Sequence, residues 1–444
     1  MPKKQLLRYD HSLMLRGGCG ANGKPEQEMP ELVAGLETVR KSLLKQWKAG
    51  QVGFLDIPEL KEDVESAVRM ANSVRRKFKT LVVVGIGGSD LGARALIKAL
   101  YSEARGMKVV FLGANTDPDE ITLALKNIDW TKTAINVISK SGDTIEPMST
   151  FLILRDRLIR EVGVKDHAKH VIATTDRVKG TLRTISEREG YRTLPVPDKI
   201  GGRYSALTPV GLFPAACAGL DVSGLISGAK QVRDRFVKES VEESMPLMFA
   251  GLQHDAYFRG GRITVLMPYA ECLREFGFWF RQLWAESLGK KHDRAGLMMR
   301  VGFTPVAALG ATDQHSQIQL YNEGPADKTV TFIEVEKFSS DITVPEGYPD
   351  LDGVAYMSGH KMSGIIHAER EATARSLSKS GRPNATIFMP EVSAETVGGL
   401  MMGFMIATAA AAELLEVNAY DQPGVEEGKR AMYALLGREG YSLD

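Results

Sequence analysis

The chain has 444 residues, enough for two or three domains around a large core. Its 56 basic and 55 acidic residues balance, so the composition gives no indication of a nucleic-acid surface or a strongly charged partner. Three cysteines, Cys19, Cys217 and Cys272, have neither metal-ligand spacing nor an even number for disulfides, and they predict a reduced, cytoplasmic protein.

Two segments bear on membranes and export. Charged and polar residues interrupt any apolar stretch after Lys3 and Lys4, so we expect no signal peptide. The longest uncharged run, residues 397–412, is short for a membrane span and rich in Gly, Ala and Thr. Since small residues let helices approach closely, we expect a buried core helix there and no membrane partner.

The first half of the chain alternates predicted helices and strands. Residues 1–60 are predicted to form an N-terminal arm with one helix near 31–47. The apolar run from Leu81 to Val84 ends in glycines, which is typical of a buried parallel strand. The other predicted elements are helices 61–78, 90–103, 117–128 and 145–162 and strands 107–113, 133–139 and 169–175. This alternation predicts a first α/β domain over residues 61–215, with helices on both faces of a parallel sheet.

The second half repeats the pattern. A helical connector, residues 216–260, leads to a second predicted α/β domain over residues 261–416, followed by a C-terminal tail over 417–444. The predicted elements are strands 262–268, 329–335 and 384–389 and helices near 271–288, 312–322, 360–380 and 395–416. The fold class is therefore α/β, with two α/β/α sandwiches in series. Two such units favour a ligand cleft between them at the carboxyl ends of the strands.

A glycine-rich loop follows the first predicted strand and reads GIGGSDLG over residues 85–92. It differs from a dinucleotide-binding loop because Asp90 stands where the third glycine belongs, and an acid there would oppose a pyrophosphate. Dinucleotide binding is not predicted. A tight strand-to-helix turn and a loop that contacts a different ligand both remain possible.

A second loop joins strand 133–139 to the next helix and reads SKSGDT over residues 139–144. Three hydroxyls, a lysine and the free N–H groups of a helix start suit a phosphate monoester. The Walker A pattern is absent, so nucleotide hydrolysis is not predicted. A plain helix N-cap is the alternative reading of the same residues.

An aromatic helix follows in the second domain. Phe276, Phe280 and Trp284 share one face at helical spacing, and Gly289 is a predicted helix stop. Glu286 lies in the last predicted turn, where a partly desolvated carboxylate suits a general base. An exposed helix-end glutamate is the alternative.

These stretches together resemble the glucose-6-phosphate isomerase family. The motifs GIGGSDLG, SKSGDT, IGGRYSALTPVG, QLWAESLGK, DQHS and DQPGVEEGK occur in the family's order over roughly residues 50–435. IGGRYS with QLWAESLGK is the specific pair, whereas GIGGS and SKSGDT are shared with other sugar-isomerase (SIS) domains.

The resemblance implies two SIS domains and a cofactor-free, metal-free interconversion of glucose 6-phosphate and fructose 6-phosphate, as in glycolysis and gluconeogenesis. It implies a homodimer with shared active sites, in which His315 comes from the neighbouring subunit and helps to open the sugar ring. Its catalytic positions are Arg203, Glu286, His315 and Lys429. Its substrate-binding positions are Gly88, Ser89, Ser139, Lys140, Ser141, Thr144 and Gln282.

The tail motif departs from the family's common DQWGVELGK, since Pro423 and Glu427 replace Trp and Leu. That makes Lys429 the catalytic position with the least support from the sequence. Two alternatives remain: a non-catalytic phosphosugar-binding protein, and an isomerase that also accepts mannose 6-phosphate. The first would need the phosphate loop but not Arg203, Glu286 and His315 together.

Overall fold

The computed structural model describes residues 6–101 and 105–443 and contains two five-stranded sheets and a two-stranded hairpin. Strands β1 to β12 are, in chain order, Arg8–Asp10, Thr80–Val84, Lys108–Leu112, Thr133–Ile138, Val171–Thr175, Arg192–Pro195, Ile263–Pro268, Lys290–His292, Met298–Val301, Thr304–Ala307, Lys328–Val335 and Asn384–Met389. Helices α1 to α16 are Arg16–Cys19, Met29–Lys48, Lys61–Arg75, Leu91–Ala99, Pro118–Asn127, Ile145–Val162, Thr181–Glu189, Pro209–Ala218, Val222–Lys238, Met245–Phe258, Arg274–Leu288, Ile318–Glu323, Asp352–Ala355, Met362–Lys379, Ala394–Leu414 and Glu426–Leu435.

The first sheet has the order β3-β2-β4-β5-β6, and all its strands are parallel. The predicted buried strand is β2, near the middle of this sheet. Leu81 and Val83 enter the main hydrophobic core on one face, and Val82 and Val84 enter a second core on the other. A strand covered on both faces needs apolar side chains at every position, which explains the continuous run.

The second sheet has the order β1-β12-β11-β7-β10, in which only β1 runs antiparallel to its neighbour. The predicted α/β class with two largely parallel sheets is confirmed. The N-terminal arm is more than a leading segment, because β1 pairs with β12 along the edge of this sheet.

Helix α15 contains the predicted core helix, and every residue from 397 to 412 is buried. It is the one described helix long and apolar enough to cross a membrane, but 89% of its apolar window is buried inside the protein. Small residues bring it close to α9, since a Cβ on Gly228 would lie 1.8 Å from the Glu395 carbonyl oxygen and one on Gly398 would lie 2.0 Å from that of Leu225. The prediction of a buried core helix is confirmed.

Several predicted boundaries are wrong. The predicted helix 90–103 is too long, because α4 stops at Ala99; residues 102 and 103 of that prediction lie outside the described residues. The predicted helix 312–322 is split into a 3-10 turn, Thr312–Gln314, and the short helix α12. Helices α9 and α10 lie within the predicted helical connector, residues 216–260, whose limits stay a prediction.

Candidate active site

Helix α11 presents the two faces that its sequence predicts. Phe276, Phe280 and Trp284 are fully buried in the main core, and the helix ends at Leu288 with Gly289 as its C-cap. Glu286 lies in the last turn with its side chain 27% exposed, so it is neither an exposed helix-end residue nor a buried one. The aromatic face therefore fixes the helix, and the carboxylate projects from its end.

Glu286 is held by polar groups. Its Oε1 accepts a hydrogen bond from Arg203 Nη1 at 3.0 Å, and its Oε2 accepts one from Gln282 Nε2 at 3.0 Å. Gln282, one turn earlier in α11, has a buried Oε1 without a hydrogen-bond partner in the part of the chain that the structure describes. Hydrogen bonds thus orient both oxygens of the Glu286 carboxylate, and the unpartnered Oε1 of Gln282 is a hydrogen-bond acceptor in the same site.

Arg203 is a saturated, buried cation, with its side chain only 3% exposed. It lies in the 3-10 turn Gly202–Leu207. A guanidinium has five N–H donors, and each has an acceptor here. Nε donates to Ser287 Oγ (2.8 Å), Nη1 to Glu286 Oε1 (3.0 Å) and Gln422 Oε1 (3.1 Å), and Nη2 to the carbonyl oxygens of Ala419 (2.6 Å) and Asp421 (3.0 Å). These bonds fix the guanidinium plane against Glu286.

The glycine-rich loop after β2 packs against the turn that carries Arg203. A Cβ on Gly88 would lie 2.1 Å from the Gly202 carbonyl oxygen, so only glycine permits this approach. Asp90 is turned away from the cleft, where Arg94 binds it at 2.9 Å, and its burial raises the pKa of the carboxyl. The sequence predicts an acid that would oppose a pyrophosphate at this loop, whereas the carboxylate is buried against Arg94 and Asp90 does not line the cleft.

The hydroxyl-rich loop connects β4 to α6. Ser139 Oγ accepts a hydrogen bond from the N–H of Gly142 at 2.9 Å, and Ser141 Oγ accepts one from the N–H of Asp143 at 3.2 Å. Thr144 occupies the N-cap position of α6, but its side chain makes no capping hydrogen bond. The alternative that these residues serve only as a helix N-cap therefore does not explain Thr144, because its hydroxyl caps no backbone N–H and is available to a ligand.

These elements surround one cleft with a volume of about 870 Å³. Ten of the residues assigned from the sequence line it: Gly88, Ser89, Ser139, Lys140, Ser141, Thr144, Arg203, Gln282, Glu286 and Lys429. The cleft thus has hydroxyl donors and the start of α6 on one side and the Glu286–Arg203 pair on another.

His315 is the one residue assigned from the sequence that does not line this cleft. It is exposed, it follows the 3-10 turn Thr312–Gln314 instead of lying on a helix, and it is missing from the described residues that line this cleft. Lys429 lies on α16, every residue of which is at least partly exposed, and its Nζ donates to Glu426 Oε1 at 2.9 Å. Tyr433 of the same helix donates to the Asp143 carbonyl oxygen at 3.3 Å, which links the tail to the hydroxyl-rich loop.

Sequence reasoning missed three polar residues beside Arg203. Gln422 lines the cleft, Ser287 is fully buried, and Lys290 has a side chain only 5% exposed. Burial, followed by the nearby charge of Arg203, lowers the pKa of Lys290. Each residue lies within a quoted motif, but only the fold brings residues 287–290 and 419–422 together around Arg203.

No group of three or more His, Cys, Asp or Glu side chains within residues 6–101 and 105–443 is arranged to hold a metal ion.

Comparison with known proteins supports the resemblance seen in the sequence. The model of the phosphoglucose isomerase family matches residues 55–438. A glucose-6-phosphate isomerase of Carboxydothermus hydrogenoformans is 42% identical over 409 residues, covering 90% of this chain and 88% of that protein. One of Rubrobacter xylanophilus is 41% identical over 445 residues, covering 98% and 99%.

Two solved structures are similar in fold. A hypothetical protein from Thermus thermophilus superposes with a TM-score of 0.87 at 38% identity, covering 97% of this chain and all of that one (100%). A glucose-6-phosphate isomerase from Chlamydia trachomatis gives a TM-score of 0.83 at 22% identity, covering 94% and 87%, which supports the fold alone.

Proposed function

The chain belongs to the phosphoglucose isomerase family, and we infer that it is an enzyme that interconverts glucose 6-phosphate and fructose 6-phosphate. One observation supports this function most strongly. A half-buried carboxylate, Glu286, is held against a saturated arginine, Arg203, in the same cleft as a hydroxyl-rich loop at a helix start. A protein that only binds phosphosugars would need that loop but not the Glu286–Arg203 pair.

Glu286 is the proposed general base. Aldose–ketose conversion moves one proton between C2 and C1 through a cis-enediol(ate), and one carboxylate can remove and return it on one face of the sugar. Arg203 and Gln282 each bind one carboxylate oxygen, so the base is oriented before substrate arrives. Such positioning lowers the entropic part of the barrier.

Arg203 is the proposed stabiliser of the enediolate. Among its five acceptors, Glu286 and Gln422 line the cleft, and both are bound by Nη1. This nitrogen is therefore the part of the guanidinium closest to the substrate space. A fixed cation stabilises the developing negative charge more than the neutral ground state, which favours the transition state selectively.

The loop over residues 139–144, with Gly88 and Ser89, is the proposed phosphate site. The Thr144 hydroxyl makes no capping bond, and the start of α6 adds free N–H groups and the positive end of its dipole. Lys140 and Lys179 add positive charge to the same cleft. Because the phosphate does not react, its binding energy serves to hold C1 and C2 near Glu286.

A homodimer with shared sites accounts for His315. This side chain is exposed and lies outside its own chain's cleft, so His315 of the partner subunit would complete the site for ring opening. Imidazole suits that step because it titrates near neutral pH. The exposed apolar side chains of Leu297 and Met298, 67% and 62% accessible, offer a surface to a second copy.

Two further assignments belong to this proposal. Lys429 is the tail lysine of the site. Of the two substituted positions near it, Glu427 lies on the same helix and Pro423 in the 3-10 turn before it, and both are exposed. The protein acts in the cytoplasm, where its three free thiols would stay reduced.

An assay that starts from fructose 6-phosphate and measures glucose 6-phosphate tests the activity, with mannose 6-phosphate as a second substrate. No product above the uncatalysed rate would refute it.

A further inference from the structure

Lys290 makes three contacts at the base of the candidate site. Its Nζ donates to the carbonyl oxygen of Glu286 at 2.8 Å and to that of Asp421 at 2.8 Å, and it lies 3.4 Å from Asp421 Oδ1. Of the three N–H donors of the ammonium, two are used by the carbonyl oxygens, and the ammonium also forms an ion pair with the Asp421 carboxylate. A lysine this well buried and saturated is unusual and has a defined orientation.

The acceptors of Lys290 connect two distant parts of the chain. The Glu286 carbonyl belongs to the last turn of α11, where the backbone carbonyls lack helical partners. The Asp421 carbonyl belongs to the tail segment over residues 419–422. It also accepts a bond from Arg203 Nη2 at 3.0 Å, so two buried cations share one oxygen.

The consequence concerns the geometry of Arg203. Two of its acceptors are tail carbonyls, those of Ala419 and Asp421, and a third is the side chain of Gln422. If the tail segment shifted relative to α11, Arg203 would lose its alignment with Glu286. Besides Arg203 itself, Lys290 bonds both α11 and this segment directly, through the carbonyl oxygens of Glu286 and Asp421.

We propose that Lys290 is a positioning residue for the isomerase reaction: it fastens residues 419–422 to the end of α11 and thereby holds Arg203 and Gln422 against Glu286. This inference rests on the proposed function and adds a residue to it that touches neither the cleft nor the substrate. The depressed pKa of Lys290 fits the burial that the role requires.

The test compares Lys290→Met, which keeps the length of the side chain and removes its donors, with Lys290→Arg, which keeps a charged donor. Lys328→Met is the matched control, because Lys328 is equally buried (side chain 4% exposed) and lies in β11 outside the cleft. We expect kcat of Lys290→Met to fall at least about tenfold with little change in KM, since small misplacements cost up to about 10²-fold. Lys290→Arg should recover part of the loss, and Lys328→Met should keep wild-type kcat.

A binding measurement separates positioning from general stability. A phosphorylated hydroxamate that mimics the enediolate should bind wild type more tightly than substrate does, and Lys290→Met should lose that preference while its substrate affinity changes little. Lys290→Gln is neutral but keeps a polar amide group, and it serves if Lys290→Met does not fold. A folded neutral variant with kcat within twofold of wild type, or with equal losses for analogue and substrate, would overturn the proposal. Failure of the wild type to isomerise would instead refute the function itself.

Discussion

Replacing Arg203 with lysine removes the fork geometry of the guanidinium but keeps a positive charge. Arginine provides five N–H donors and lysine three, so at least two of the five acceptors lose a partner. The Asp421 carbonyl still has Lys290. A buried acceptor without a partner costs about 1–3 kcal/mol, so two such acceptors should lower the free energy of unfolding by about 2–6 kcal/mol, measured by urea titration.

The same substitution should impair catalysis more than binding. Lysine keeps the positive charge but loses bonds that hold it against Glu286, and small misplacements cost up to about 10²-fold in rate, so we expect kcat of Arg203→Lys to fall by about that factor with a modest change in KM. The preference for a phosphorylated hydroxamate over substrate should fall with it. Steady-state kinetics and calorimetric titration measure the two effects.

Arg233→Lys is the matched control for this experiment. Arg233 has a side chain 5% exposed and donates to the Leu55 carbonyl oxygen, Glu59 and Asp234, outside the cleft. Its substitution should cost stability but leave kcat within about twofold, since it removes no interaction made in the transition state. If both variants lost stability equally and Arg203→Lys kept kcat within a few-fold of wild type, Arg203 would be a structural residue only.

Two further predictions concern assembly and metals. Glu286→Gln and His315→Ala should each be nearly inactive alone. When the two variants are unfolded and refolded together in equal amounts, half of the dimers are mixed and each mixed dimer has one intact site, so about a quarter of wild-type activity should return. Activity that stays at the level of the separate mutants would refute shared sites. Activity should survive exhaustive EDTA treatment and need no nucleotide, and loss on chelation with recovery on adding a divalent ion would contradict the proposed mechanism.

The sequence predicted best the parts of the fold with strong local patterns. The apolar run of β2 and the aromatic face of α11 each encode their burial in side-chain spacing, and both are confirmed. The short edge strands were missed. Strand β1 has three residues, and β10 contains Pro305, so neither carries enough alternation to stand out. Their formation depends on the neighbouring strand.

In the candidate site too, the sequence predicted the residues that lie in recognisable motifs and missed the contacts that depend on the fold. Motif order identified Arg203, Glu286 and the loop over residues 139–144, and the structure brings these into one cleft. It gave no indication that Lys290 and Asp421 meet, since this contact depends on how the tail returns to α11. The predicted helix over residues 312–322 is wrong in its first half, because residues 312–314 form a 3-10 turn and the α-helix begins only at Ile318. Asp313 in that turn accepts a hydrogen bond from the Leu309 N–H at 2.7 Å.

The turnover number of Glu286→Gln decides whether Glu286 is the general base. Glu275→Gln, in the first turn of the same helix, is the control. The amide keeps the size of the carboxylate but cannot accept the C2 proton, so kcat should fall about 10²–10⁴-fold while phosphosugar affinity stays near wild type and Glu275→Gln remains active. A Glu286→Gln enzyme with kcat within a few-fold of wild type would show that Glu286 is not the general base.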